Sequence, residues 1–144
     1  MATIDKVTDE IAIMLPKLMK GTKHSFLSKS NVTTTQMVML ASIHDYGRCR
    51  LKTLAKARGI SPPTATGLID RLARAGYVKR EPDLEDRRAI VVSLTKKGEK
   101  MVKNFLDTVR GRWKNILIHL TSEEQHQYLN ILRKIVSILS EKGA

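Results

Sequence analysis

Cys49 is the only cysteine among 144 residues, so no intrachain disulfide can form, which agrees with a reducing compartment. No apolar run approaches the ~18 residues of a membrane span. The opening Met-Ala-Thr-Ile-Asp-Lys lacks the pattern of a secretory signal. A soluble, cytoplasmic protein is expected. There is no internal repeat, low-complexity tract or linker, and the length suits one domain with a respectable core. Enzymatic motifs are missing too: no nucleophile elbow, no phosphate-binding glycine loop, and no paired carboxylates in an apolar setting. His44-Asp45 near Cys49 comes nearest to a catalytic cluster, and Asp45 before Gly47 reads better as turn chemistry. His24, His44, Cys49, His119 and His126 are too scattered for metal-ligand spacing. Neither enzymatic activity, nor a metal, nor a cofactor is expected.

Charge is abundant, and mostly of one sign. Lys and Arg number 26 against 14 Asp and Glu, a formal net charge of +12. A chain this basic suits nucleic acid or an anionic membrane surface. Residues 48–103 hold 15 Lys and Arg against 6 Asp and Glu, a net +9, so the excess sits in the middle of the chain. A polybasic membrane anchor would lie beside a lipidation signal or on one amphipathic helix with bulky apolar residues, and neither is evident. Double-stranded DNA is the expected partner, with no membrane.

The apolar periodicity divides the chain. Ile4, Val7, Ile11, Met14/Leu15 and Leu18 step by three and four, predicting an amphipathic helix to about Leu27, which Pro16 should kink or restart. Thr33 and Gln36 form a capping box for a second helix, with Met37, Leu40, Ala41 and Ile43/His44 inward and Gly47 at its end. A short third helix spans about Leu51 to Arg58, and Gly59-Ile60 turns the chain. Ser61 is a strong N-cap and Pro62 a suitable first helical residue. Ala65, Leu68, Ile69 and Leu72 then face inward, leaving Thr64, Thr66, Gly67, Asp70, Arg71 and Arg74 outside. Two helices joined by a glycine turn, the second showing small polar and Arg side chains, predict a helix-turn-helix.

Beyond Gly76, Tyr77–Arg80 and Ala89–Leu94 read as strands, with Ile90, Val92 and Leu94 on one face and Pro82–Arg88 as the loop between them. The expected fold is therefore mainly α with a small β-hairpin, a winged helix-turn-helix over residues 48–94. Thr95 caps a helix striped by Val102, Phe105/Leu106, Val109, Trp113 and Ile116/Leu117. Thr121-Ser122-Glu123-Glu124 opens another, striped by Tyr128/Leu129, Leu132, Ile135/Val136 and Leu139. A winged helix does not need these flanks. Residues 1–32 and 95–144 are thus expected to bury their stripes on a second copy as dimerisation helices, the alternative being that they pack within one monomer.

The run Leu54-Ala55, Gly59-Ile60-Ser61, Leu68-Ile69-Asp70-Arg71-Leu72, Gly76-Tyr77-Val78, Arg80, Asp86-Arg87-Arg88 and Leu94-Thr95-Lys96-Lys97-Gly98 resembles the MarR family of transcriptional regulators. The likeness is densest from Leu54 to Gly98. D-x-R followed six residues on by L-T-x-x-G is its most specific element. The resemblance implies a homodimeric repressor on a pseudo-palindromic operator, with recognition helices in successive major grooves and wings at the minor grooves. It also implies release by a small anionic aromatic ligand in some members and by oxidation in others. A general architectural DNA-binding protein without a defined operator is the alternative.

Arg71 is the candidate for a guanine edge, with Arg74 one turn on. Thr64 and Thr66 can meet base edges or thymine methyls, and amides at the Ser61–Pro62 end suggest a phosphate site. In the wing, Asp86 and Arg88 project to the same side of an extended segment, so the carboxylate can hold the guanidinium. Arg88, then Arg87, is the candidate minor-groove probe. Lys52, Lys56, Arg58, Lys79, Arg80, Lys96 and Lys97 are candidate phosphate contacts. By the family resemblance an effector would sit among Met14, Leu18, His24, Phe26, Met37 and Leu40, a Met-rich wall that is also ordinary core composition. Arg48 and Arg50 could lower the pKa of Cys49 and make it a redox sensor.

Overall fold

The computed structural model describes residues 3–23 and 30–142, with side chains at 3–20 and 30–140. It divides between Thr33 and Thr34 into two compact units. In the first, α1 (Ile4–Lys23) runs without interruption through Pro16. The expected restart there is absent, although a ring with no N–H leaves the Ala12 carbonyl without its intrahelical donor. Its apolar residues, Ile4, Val7, Ile11, Met14, Leu15 and Leu18 among them, are exposed by 45 to 78%. The expected last turns of this helix, from residue 24, lie outside the described residues.

The second unit contains α2 (Thr34–Tyr46), β1 (Cys49–Arg50), α3 (Leu51–Arg58), α4 (Pro62–Arg74), β2 (Val78–Pro82), β3 (Ile90–Leu94), α5 (Lys96–Leu117) and α6 (Ser122–Lys142). Its core is built where the sequence periodicity placed it. Met37, Leu40 and Ile43 of α2, Leu54 of α3, Ala65, Leu68, Ile69 and Leu72 of α4, and Val102 of α5 are all buried. α2 also buries Met39, off the expected stripe, while His44 points to solvent.

The three strands form an antiparallel sheet in the order β1-β3-β2. Cys49 pairs with Val92 and Arg50 with Val91, and on the other side Val78 to Pro82 pair with Leu94 to Ile90. β3 is thus the central strand, in contact with α2, α3 and α5. Ile90, Val92 and Leu94 share one face of it as expected, but the other face is covered too: Val91 and Val92 are both buried, while Ile90 at the strand end is exposed. The strands also lie slightly further along the chain than the periodicity suggested, and the loop between them is 83–89.

α6 begins with the expected capping box. Thr121 Oγ1 accepts the Glu124 N–H at 3.2 Å, and the Glu124 carboxylate takes the Thr121 N–H at 2.9 Å. Gln125 donates to the carbonyls of Leu117 and Leu120, closing the end of α5 onto α6. Trp113 stacks on Tyr128 with ring centroids 5.3 Å apart. Even so, Leu129, Leu132, Ile135, Val136 and Leu139 of α6 stay exposed.

Candidate nucleic-acid interface

α3 ends in a glycine cap. Gly59 takes φ 63°, its N–H bonds to Lys56, and Ile60 N–H reaches back to Ala55, the arrangement a left-handed glycine permits. Ser61 then caps α4: its Oγ accepts the Thr64 N–H at 3.3 Å and lies 2.8 Å from the Thr64 hydroxyl. Thr66 Oγ1 donates to the Pro62 carbonyl at 2.9 Å. The Thr66 hydroxyl proton is therefore committed within the helix, and what it offers outward is a methyl group and acceptor lone pairs.

The expected phosphate site on backbone amides at this helix start loses its donors at positions 62, 63 and 64. Pro62 and Pro63 have no N–H, and the third amide, of Thr64, is taken by Ser61. Proline suits the first helical position because it has no N–H to leave unpaired, and the same lack removes the donors.

Further along α4, Arg71 and Arg74 are exposed. Neither forms an ion pair or side-chain hydrogen bond among the described residues. Asp70, the obvious neighbour for Arg71, pairs with Arg80 of β2 instead. This pair ties α4 to the sheet and leaves Arg71 uncompensated. It also gives Arg80, expected as a phosphate contact, a structural partner.

At its far end α4 is held by the start of α5. Gly76, at φ 85°, lets Tyr77 N–H reach Leu72 O. Thr95 Oγ1 donates to the Gly76 carbonyl at 2.6 Å and accepts the Gly98 N–H at 3.1 Å. Lys97 Nζ donates to the Ala75 carbonyl at 2.7 Å and lies 4.6 Å from the centre of the Tyr77 ring. The L-T-x-x-G element is therefore a clamp on the end of α4, and Lys97 belongs to it rather than to a set of free surface cations.

The wing is braced from the side. Asp83 N–H bonds to Ala89 O and Ala89 N–H to Asp86 O, both at 2.9 Å. Asp83 Oδ1 takes the Glu85 N–H at 3.1 Å, while Oδ2 accepts Arg50 Nε at 2.6 Å. Glu81 pairs with Lys79 at 2.6 Å and Arg48 at 3.4 Å. The Lys79 bond, before the Arg48 pair, holds the Glu81 carboxyl below its ordinary pKa. The Glu85 amide, then Arg50, does the same for Asp83. Sequence reading missed β1 and this bracing, because a two-residue strand shows no period. The only signal was the alternation of Arg48 and Arg50.

Asp86 Oδ1 accepts the Arg88 backbone N–H at 3.1 Å and meets Arg88 Nε at 3.4 Å. Asp86 thus touches both the backbone and the guanidinium of Arg88, as the expected holding role requires. The Arg88 side chain remains 94% exposed, and Arg87 is exposed beside it.

Lys79 is engaged with Glu81, as above. Lys52 and Lys56 line an open cleft of about 750 Å³ with Tyr46, Val136 and Leu139.

Of the residues expected to form an effector wall, Met37 and Leu40 are 2% and 0% exposed and belong to the core of the second unit. Met14 and Leu18 lie exposed on α1, and His24 and Phe26 fall outside the described residues. The expected lowering of the Cys49 pKa is corrected: partial burial raises it, and Arg48 and Arg50 pair with Glu81 and Asp83. Among the described residues no three His, Cys, Asp or Glu side chains are grouped to hold a metal. No helix there is long and apolar enough to cross a membrane.

Comparison with known proteins agrees with this geometry. The model of the MarR family matches residues 32–90. The uncharacterized HTH-type transcriptional regulator YfiV of Bacillus subtilis is 32% identical over 109 residues, 74% of this chain and 68% of that protein. The chain belongs to the MarR family. Across this MarR-family chain the HTH-type transcriptional repressor MdtR of Bacillus subtilis is 28% identical over 138 residues, 94% of this chain and 89% of that protein. A mutant MarR from E. coli, solved in complex with operator DNA, shares the winged-helix fold with a TM-score of 0.68 at 21% identity, covering 93% of this chain and 99% of that one. The chain is a MarR-family transcriptional regulator with a winged helix-turn-helix.

Proposed function

We propose that this regulator is a homodimeric repressor that binds a pseudo-palindromic operator through residues 48–94. The observation that carries the reading is the state of α4: its inward residues are sealed, its Asp70 is spent on Arg80, and Arg71 and Arg74 stand exposed without partners among the described residues. Unpaired guanidiniums on one helix face favour bidentate contact with guanine or phosphate. Arg71 reads a base edge and Arg74 stands beside it. Ser61, Pro62, Thr64 and Thr66 form the leading end, where Thr66 offers a methyl group to thymine. Arg88 and Arg87 enter the minor groove, with Asp86 orienting Arg88. Lys52, Lys56, Lys79 and Arg80 supply backbone attraction, the last two shared with their carboxylate partners.

Two further facts support the reading. MdtR is named a repressor, and the E. coli MarR mutant of the same fold was solved with operator DNA. The exposed apolar faces of α1 and α6 support a dimer built from residues 1–32 and 95–144, since leucines and isoleucines in such density need cover. Release by a small anionic aromatic ligand completes the reading and rests on family membership alone.

Selection of bound sequences from a random pool tests it. The expected result is one inverted repeat, bound by a dimer in light scattering. With about 6 to 10 phosphate contacts, affinity should fall by ~10³ to 10⁵ between about 50 and 200 mM salt. Equal affinity for random competitor DNA would replace the reading with a general architectural protein.

A further inference from the structure

The wing tip presents a leucine. Leu84 is 91% exposed, although the loop around it is closed by several hydrogen bonds. Its two neighbours in sequence are fixed: Asp83 by Ala89 and Arg50, and Glu85 by the Asp83 carboxylate. Ordering an apolar side chain in water gains nothing for the folded monomer. A rigid tip does, however, lower the conformational entropy lost when that tip meets a partner.

Charge does not account for what the tip would touch. Residues 81–88 carry four carboxylates, Glu81, Asp83, Glu85 and Asp86, against two guanidiniums, Arg87 and Arg88. Lys79 and Arg48 neutralise Glu81, Arg50 neutralises Asp83, and Arg88 lies against Asp86. Glu85 and Arg87 remain, one of each sign, with no ion pair among the described residues. The tip is close to neutral, so Coulomb attraction to phosphate holds it weakly.

We infer that Leu84 is a non-electrostatic anchor of the wing: its side chain packs on the deoxyribose faces lining the minor groove, while Arg87 and Arg88 supply the charge behind it. The inference rests on the proposed DNA binding and adds a residue to it. Apolar side chains at minor grooves are a recurrent device for contacts that phosphate pairing cannot give.

The test is anisotropy titration of the selected operator at several salt concentrations, with wild type, Leu84→Ala, Leu84→Met and Leu84→Lys. Removing three carbons about half buried in the groove predicts about 5- to 20-fold weaker binding for Leu84→Ala, with the slope against salt unchanged. Leu84→Met should stay within about 3-fold of wild type. Leu84→Lys should bind no tighter than wild type despite its added charge. Circular dichroism and light scattering should not distinguish the variants, since Leu84 supports no core. Leu84→Ala binding within about 2-fold of wild type overturns the inference, as does a tighter Leu84→Lys with a steeper salt slope. Wild-type protein that binds no DNA overturns the proposed function instead, so the two failures are told apart.

Discussion

Gly98 lies directly against the carbonyl of Tyr77: a Cβ on Gly98 would come well inside 3.0 Å of that oxygen, and close to a methyl group of Leu94 as well. The contact joins the first turn of α5 to the turn that ends α4. It explains why glycine closes the L-T-x-x-G element, since any side chain would push the two helices apart.

Gly98→Ala should therefore lower stability by about 1–3 kcal/mol, the range of a core overpacked by small groups, although alanine favours helix over glycine. Urea unfolding checks it. An unchanged or raised midpoint would mean that the helices separate at no penalty.

Asp70→Asn should loosen the strut to Arg80 while leaving every inward residue of α4 in place. The change is isosteric and partly exposed, so stability should fall by no more than about 1 kcal/mol. Operator affinity is the more sensitive readout, because the freed Arg80 no longer fixes α4 against β2. Identical discrimination between operator and random DNA would show that the strut has no part in positioning.

Asp83 gives the wing a defined response to acid. Its carboxyl pKa is lowered from 3.8, first by the Glu85 amide and then by Arg50. Protonation then costs more in the folded state, and the stabilisation is fully present above the unfolded value of 3.8 and fades as pH falls through the lower folded value. Thermal melting of wild type and Asp83→Asn should differ by a constant amount from about pH 8 to 5 and converge below 3.8. Convergence already near neutrality would contradict the bracing.

Cys49 should behave as an unreactive thiol. Burial raises its pKa, so alkylation by iodoacetamide at neutral pH should be slower than that of a free cysteine. Dilute peroxide should leave DNA binding of wild type and Cys49→Ser alike, and peroxide-dependent release of wild type alone would restore a redox role.

The helices and the inward face of α4 were legible in the sequence because each rests on local rules: Ser61 and Thr95 cap, Gly59 and Gly76 stop, and Ala65, Leu68, Ile69 and Leu72 repeat at helical spacing. The candidate interface was only half legible. Arg71 and Arg88 were found as exposed cations. Yet which cations are already engaged depends on partners far along the chain, Arg50 with Asp83 and Lys97 with Ala75, and no local pattern reveals them. The burial of Val91 was hidden for the same reason, since the centrality of β3 follows from β1, a strand of two residues.

The two prolines that open α4 leave its leading turn without a free hydrogen-bond donor along the main chain. A rod whose tip cannot grip is steered from elsewhere. In a groove, the pitch and yaw of α4 would be set by the strut at Asp70, the clamp at Gly98 and the reach of the wing, and the blunt proline end would meet the bases through side chains alone.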